Sequence, residues 1–371
     1  MDFTFSPEHV ALRRLVREFA ENELAPLAAQ IDREGQVPFD LLRQMGELGL
    51  LGVCFPQEYG GMGAGETGYC ILMEELGRVC TSTATTVGAH IGIGAMSIYL
   101  DGTEAQKQTY LVPLARGQKF AAFVLTEADA GSDAAAIRTR AVREGDSWII
   151  DGTKTFNTNG SFADVVTVLA VTDPALGARG GITAFIVETD SPGFKVGRHE
   201  NKMGIRGSAT AELVFDEVRV PQENVLGKVG EGFVSFMKTL DLGRLTLGAA
   251  CLGGAQAALD WSVTWAKTRK QFGTALAHKQ SVQWKIANTA VEVEALRSLV
   301  YRVAWMVDTG QPFTHLAAMV KLYGSEVASR AIDAALQIHG GLGYTRDFPI
   351  ERAFRDARIA PIYEGTNGIQ A

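Results

Sequence analysis

The chain predicts an α+β multidomain fold, with a helical first third, a β-rich middle and a helical last third. Three observations carry this reading. Apolar residues recur every three or four positions from Leu12 to Leu114. From about Phe120 they collect in short β-branched and aromatic runs punctuated by Gly, Asp and Pro. After Gly227 the long helical periods return. A length of 371 residues, 46% of them hydrophobic and 21% charged, is enough for two or three packed units around a large core.

The first helix starts at Ser6-Pro7-Glu8, where serine caps, proline takes the first helical position and Phe5 is placed to staple against Val10. Leu12, Leu15, Val16 and Phe19 keep a helical period until Pro26 kinks or ends it. Further helices are expected over Phe39–Leu48, closed by Gly49, and over Thr67–Gly77, Thr85–Leu100 and Glu104–Leu114. Strands are expected at Phe120–Leu125, Ile137–Arg143, Trp148–Ile150, Val165–Val171, Ile182–Val187 and Leu213–Val220. Asp151-Gly152 reads as the turn of a hairpin, because glycine tolerates positive φ. Phe233–Trp265, Ser281–Asp308 and Thr314–Ile338 then form an antiparallel bundle.

A net charge of -7 argues against general nucleic-acid binding, which needs a basic face. Cys54, Cys70, Cys80 and Cys251 are scattered without Cys-x-x-Cys spacing, so neither a disulfide nor a zinc site is expected. Met1–Phe5 has no signal-peptide pattern and no long uncharged run could span a bilayer, which points to a cytoplasmic protein.

Ile362-Tyr363-Glu364-Gly365-Thr366 sets one carboxylate between an aromatic residue and a glycine, after an apolar stretch. In a dry site such a carboxylate loses hydration, its pKa rises and it becomes a proton acceptor near neutral pH. A solvated turn is the other reading of the same residues. Upstream lie Thr126-Glu127-Ala128-Asp129-Ala130-Gly131-Ser132-Asp133, Lys154-Thr155-Phe156-Asn157-Thr158-Asn159, Arg269-Lys270-Gln271-Phe272-Gly273 and Gln337-Ile338-His339-Gly340-Gly341. With these motifs in this order from Phe5 to Gln370, the chain resembles the acyl-CoA dehydrogenase family of flavoproteins. The resemblance implies an N-terminal helical domain over 1–118, a β-barrel or sheet domain over 119–226 and a C-terminal four-helix-bundle domain over 227–371.

It also implies oxidation of an acyl-CoA thioester to the 2,3-enoyl-CoA, with FAD as hydride acceptor and Glu364 as the base. Some relatives carry that base just before the arginine corresponding to Arg244; here Gly243 stands there, which leaves Glu364. The resemblance places Thr126, Phe156 and Thr158 against the flavin ring and Ser132 at a phosphate or CoA contact. Arg269, Phe272, Gln337, Gly340 and Gly341 would reach FAD across a subunit interface, and Thr366 would add a hydroxyl. Asp241 and Arg244 would bind at the CoA side, and Gly365 would lie beside the thioester. Ile91, Gly92, Ala95 and Met96 are the expected pocket wall. Departures from the family pattern are Ala128-Asp129, Phe156-Asn157 and Gly368. Expected partners are an acyl-CoA of short or medium chain, an electron-transferring flavoprotein and further copies of the chain, four in all as a homotetramer. An oxidase, an acyl-carrier-protein dehydrogenase or a non-catalytic binding protein are the rival outcomes on this scaffold.

Overall fold

The computed structural model describes residues 4–371; Met1, Asp2 and Phe3, part of the start that favours the cytoplasm, lie outside the described residues. Helix α1 (Pro7–Phe19) begins where Ser6 and Pro7 predict, the Ser6 hydroxyl accepting the His9 N–H at 3.3 Å. Leu12, Val16 and Phe19 are its buried face. Phe5 meets the Tyr301 ring edge-on at 4.8 Å, while Val10, its expected staple partner, stays exposed. Around Pro26 the helix loosens through a π turn (Ala20–Leu24) and a 3-10 turn (Ala25–Leu27) before α2 (Ala28–Glu34), because proline supplies no N–H and crowds the turn before it. Then follow α3 (Phe39–Glu47), α4 (Gly65–Val79) and α5 (Thr81–Gly88). A π-helical turn, Ala89–Ala95, joins α5 to α6 (Met96–Asp101), and single turns α7 (Glu104–Gln106) and α8 (Val112–Ala115) complete the region.

The middle holds β1 (Ala121–Val124), β2 (Arg140–Glu144), β3 (Ser147–Thr158), β4 (Val165–Val171), the single turn α9 (Ala178–Gly181), β5 (Ile182–Glu188), β6 (Phe194–His199), β7 (Thr210–Pro221) and β8 (Val225–Leu226). They form one mixed sheet in the order β6-β7-β3-β2-β4-β5-β8, with β1 parallel on β4. Both faces are covered at its centre. Val165 and Leu169 of β4 join the large helical core, while Val166, Val168 and Ala170 join a second core with Trp148, Phe185 and Phe215. That double burial is why these strands read as unbroken apolar runs.

The Asp151-Gly152 hairpin is a correction. Both residues lie inside β3, where the pairing with β7 shifts register between Ile150 and Gly152. The chain turns instead at Gly145, φ 61°, between β2 and β3. Gly152 is small for a different reason: a Cβ there would sit 2.4 Å from the Thr139 Oγ1. Strand β6 gave no apolar signal because most of its residues face solvent.

The last third is α10 (Gly232–Thr268), the two-residue strands β9 (Lys270–Gln271) and β10 (Thr274–Ala275), α11 (Gln280–Asp308), α12 (Thr314–His339), α13 (Ile350–Ala357) and α14 (Asn367–Gln370). Three long helices and the short α13 pack together, with α4 against α10 and α11. Asp308 ties the regions: at the end of α11 it accepts the N–H groups of Glu66 and Thr67 at 2.6 and 3.0 Å, capping α4. Among the described residues no helix is long and apolar enough to cross a membrane.

Candidate active site

Glu364 stands in a loop between α13 and α14, with φ of 53°, and Gly365 follows at 87°. Two consecutive left-handed residues reverse the chain so that the carboxylate points away from solvent toward α10. A left-handed glutamate is unfavourable by about 1 to 3 kcal/mol and persists only where its surroundings hold it. They do so here: the Lys321 ammonium of α12 donates to the Gly365 carbonyl at 2.6 Å and to Asn367 Oδ1 at 3.1 Å. The Ser325 hydroxyl also meets Asn367, at 3.1 Å, and the Gln370 amide reaches the Glu364 carbonyl at 3.3 Å. Tyr363 packs beside Leu247, Cys251, Ala328 and Ala360.

Burial pushes the Glu364 carboxyl up to about 7, against the pull of the Arg244 and Lys321 cations. Its Oε2 is buried and has no hydrogen-bond partner among the described residues. A buried carboxylate oxygen with no protein partner has the chemistry of a proton acceptor.

That oxygen faces a cavity of about 50 Å³, lined by Met73 of α4, Ala84, Thr85 and Gly88 of α5, Ala89 and Ile93, Thr158 of β3, and Gly243, Thr246, Leu247 and Ala250 of α10, closed by Tyr363 and Glu364. Of the expected wall, Ile91, Gly92, Ala95 and Met96 are all buried but none is among the residues that line this cavity. Three of them lie within the π turn Ala89–Ala95, which shifts the helical phase so that Ala89 and Ile93 of that turn face the cavity instead. A Cβ on Gly92 would stand 2.6 Å from the Tyr69 hydroxyl, which closes the space behind it.

Thr158 is the only sheet residue in the cavity lining. Thr126 lies close to it along the sheet, since its carbonyl accepts the Thr155 N–H at 2.8 Å. A buried ion pair fixes this junction: Lys154, fully buried, contacts Glu127 at 2.8 Å and the Leu125 carbonyl at 3.0 Å. Glu127 in turn accepts the N–H groups of Arg138 and Thr139. Phe156 is 63% exposed with φ of 58°, so a bulky aromatic ring is held in solvent in a costly backbone conformation. Ser132 sits in an exposed bend, and Asp129 beside it pairs loosely with Arg138 at 3.5 Å.

Arg244 and Asp241 form an ion pair at 2.7 Å one turn apart on α10, and the Thr314 hydroxyl donates to Asp241 at 2.9 Å. The Arg244 Nε also approaches the Glu364 carbonyl at 3.4 Å. Both charged residues therefore border the base loop. Thr366 caps α14 in the same loop, and the Gly368 position is open except for the Thr366 hydroxyl at 3.8 Å.

Arg269, Phe272, Gln337, Gly340 and Gly341 gather elsewhere. Trp265 of α10 stacks on His339 of α12 at 4.9 Å, bringing the C-terminal ends of the two helices together. From Ala250, the last α10 residue of the lining, to Arg269 the chain runs along one helix, so Arg269 lies about 28 Å from the cavity at the helical rise of about 1.5 Å per residue. Phe272 is 94% exposed with φ of 52°, a second strained and bare aromatic ring. Cβ atoms on Gly340 and Gly341 would meet nothing. His90 is structural: its ring bridges the Leu114 carbonyl and the Ala121 N–H, and burial holds its pKa down at about 4.

Sequence reasoning missed Lys321, Thr85, Gly88, Met73 and Thr246. Only Lys321 left a signal, as a lone cation in the apolar stretch Ala317–Tyr323 of a helix. The lining of the cavity depends on which face of each helix turns inward, and small residues in a helix give no hint of that.

Three family models match the chain: the acyl-CoA dehydrogenase N-terminal domain over residues 6–118, the middle domain over 122–218 and the C-terminal domain over 230–371. A short-chain specific acyl-CoA dehydrogenase of Clostridium acetobutylicum is 46% identical over 370 residues, covering 100% of this chain and 97% of its own. Butyryl-CoA dehydrogenase from Megasphaera elsdenii superposes with a TM-score of 0.97 at 43% identity, covering 100% of this chain and 97% of that one. A chain from the structure described as the electron transferring flavoprotein of Acidaminococcus fermentans, towards a mechanism of flavin-based electron bifurcation, superposes at 0.98 with 45% identity, covering 100% and 97%.

Proposed function

The chain belongs to the acyl-CoA dehydrogenase family, and on that premise we propose that it oxidises a short, straight acyl-CoA to its trans-2-enoyl-CoA with Glu364 as the base. One observation carries the assignment of the base: a buried carboxylate with an unpartnered oxygen, pushed up to about 7, in the wall of a small cavity. The α-proton leaves the substrate carbon for a Glu364 oxygen, and the electron pair of that C–H bond becomes the new C–C double bond as the β-hydrogen departs with its own pair. FAD, when bound, accepts that hydride.

The residues fit the cofactor. Thr158 would lie against the flavin ring across the cavity from Glu364, with Thr126 beside it and the bare Phe156 ring available to cover a face. The exposed Phe272 ring and the Arg269 guanidinium suit an adenosine and a pyrophosphate, and the open Gly340 and Gly341 positions allow close backbone approach. Gln337 would complete that end, and the Thr366 hydroxyl would contact FAD beside the base loop. Because this second group lies far along α10 from Thr158, one FAD molecule would draw on two copies of the chain. The protein is accordingly a homo-oligomer, a tetramer as the resemblance implies. The exposed Trp284, Val291, Trp305 and Met319 of α11 and α12 supply apolar surface for such contacts.

Arg244 and Asp241 border the entrance where CoA would lie, with Ser132 as a further contact and Gly365 beside the thioester carbonyl. Short chains are favoured because the cavity beside Glu364 is small, about 50 Å³. The acceptor is an electron-transferring flavoprotein, in keeping with the similarity to a chain solved with that description. Four unpaired cysteines, three of them buried, suit the reducing cytoplasm.

The test is anaerobic addition of saturated acyl-CoAs from butyryl to palmitoyl to the flavin-loaded protein. Bleaching of the flavin with enoyl-CoA formation is expected, fastest with the shortest members. The Glu364→Gln protein should bind FAD and thioester and bleach at least about a thousandfold more slowly; equal rates would remove Glu364 from the reaction. No bleaching by any member would favour another carrier, and rapid reoxidation in air would favour an oxidase.

A further inference from the structure

Lys321 lies in the middle of α12 with its side chain fully buried, among Ala317, Val320, Gly324 and Ser325. A buried ammonium is unfavourable unless it is paired, yet among the described residues Lys321 makes no ion pair with a carboxylate. Its nitrogen instead donates to the Gly365 carbonyl at 2.6 Å and to Asn367 Oδ1 at 3.1 Å, one and three residues beyond Glu364. The Asn367 amide is held on its other side by Ser325, at 3.0 Å. The two left-handed residues of the loop are thus clamped from one helix.

The charge has a second consequence. The ionisable groups facing Glu364 are Arg244 and Cys251 from α10, Lys321 from α12, Tyr69 from α4 and its neighbour Tyr363. Arg244 is matched by Asp241 at 2.7 Å. Lys321 is therefore the cation near the base whose charge no other carboxylate neutralises. We propose that Lys321 is the positioning residue of the base loop: its ammonium fixes the Gly365 carbonyl behind Glu364 and supplies the charge that keeps the buried carboxylate ionised for proton abstraction. This rests on Glu364 being the base.

The test compares Lys321→Met, Lys321→Arg and Asn367→Ala with the unmodified protein, all loaded with flavin, using butyryl-CoA. For Lys321→Met the expected result is a kcat at least tenfold lower with KM within threefold. The acid limb of kcat/KM should move up by about one pH unit, and amide exchange should be faster across Tyr363–Asn367. Lys321→Arg should restore the limb more fully than kcat, since it returns charge but not the same reach. A Lys321→Met protein with an unmoved acid limb overturns the proposal. If that variant retains no flavin, Asn367→Ala decides: it keeps the charge and loosens the clamp, so kcat should fall with the limb in place, and an unchanged kcat overturns the proposal. A fully active Glu364→Gln control would instead sink the base assignment, so the two failures are distinguishable.

Discussion

A Cβ on Gly243 would stand 2.8 Å from Oε2 of Glu364. The helix position that could have carried a carboxylate and the loop position that does carry one thus open on the same point. The glycine in α10 is the space that the glutamate occupies. In the Gly243→Ala protein, helix propensity favours the change by roughly 0.8 to 1 kcal/mol, so thermal stability should hold. The methyl group would push the carboxylate aside, and kcat/KM should fall by about a hundredfold, the order expected for a displacement near 1 Å. Differential scanning calorimetry beside steady-state rates checks both halves; an unimpaired rate would show that the carboxylate is not confined.

As the proposed base, Glu364 must be ionised to take the α-proton, and burial holds its carboxyl at about 7 rather than near the usual 4.5. Its active form is therefore lost as pH falls through 7. The kcat/KM profile of the free enzyme is expected to bend near pH 7 and to drop about tenfold per unit below it. A flat profile from pH 8 to pH 5 would exclude a base with this environment.

Met73 narrows the cavity proposed to hold the acyl chain. A Cβ on Gly88 would lie 3.0 Å from the Met73 methyl group, so that thioether fills the volume next to the small residues of α5. Met73→Ala should lengthen the preferred acyl chain, raising the hexanoyl-to-butyryl ratio of kcat/KM about tenfold or more. The exchange should also lower stability by about 2 to 5 kcal/mol through the cavity it leaves. An unaltered ratio would place the end of the substrate elsewhere.

Glu66 concerns stability alone. It is buried beneath the start of α4, its Oε1 has no partner among the described residues, and burial followed by the nearby Asp308 charge pushes its carboxyl up to about 8. A carboxyl raised above its unfolded value of 4.5 favours the folded state fully below that value, and the benefit is lost as pH rises through 8. At pH 7 the loss is on the order of 3 kcal/mol. Glu66→Gln should therefore show a smaller fall in Tm between pH 5 and pH 8 than the unmodified protein. Parallel curves would mean that the carboxyl ionises freely.

Much of this molecule was legible beforehand because its signals are local. The cap at Ser6, the loosening at Pro26, the apolar runs of β4 and β5 and the long periods of α10 and α12 each depend on residues near in sequence. The Tyr363-Glu364-Gly365 triplet announced a sheltered carboxylate in the same way. Strand β6 and the course of β3 through Gly152 were not legible, since solvent-facing polar strands lack an apolar pattern and a glycine inside a strand looks like a glycine in a turn.

By itself the sequence determined the order of helices and strands, the sheltered position of Glu364 and the motifs that mark the family. The tertiary structure alone decided that Ala84, Thr85 and Gly88 rather than Gly92 and Met96 line the cavity beside Glu364. It also decided that Gly243 yields room to Glu364, that Lys321 holds the Glu364 loop, and that Arg269 stands far along α10 from the cavity that Thr158 lines. The physical reason is separation along the chain. Periodicity tells that a helix has an inner face, but a π turn can rotate that face, and a contact across scores of residues has no trace in either segment read alone.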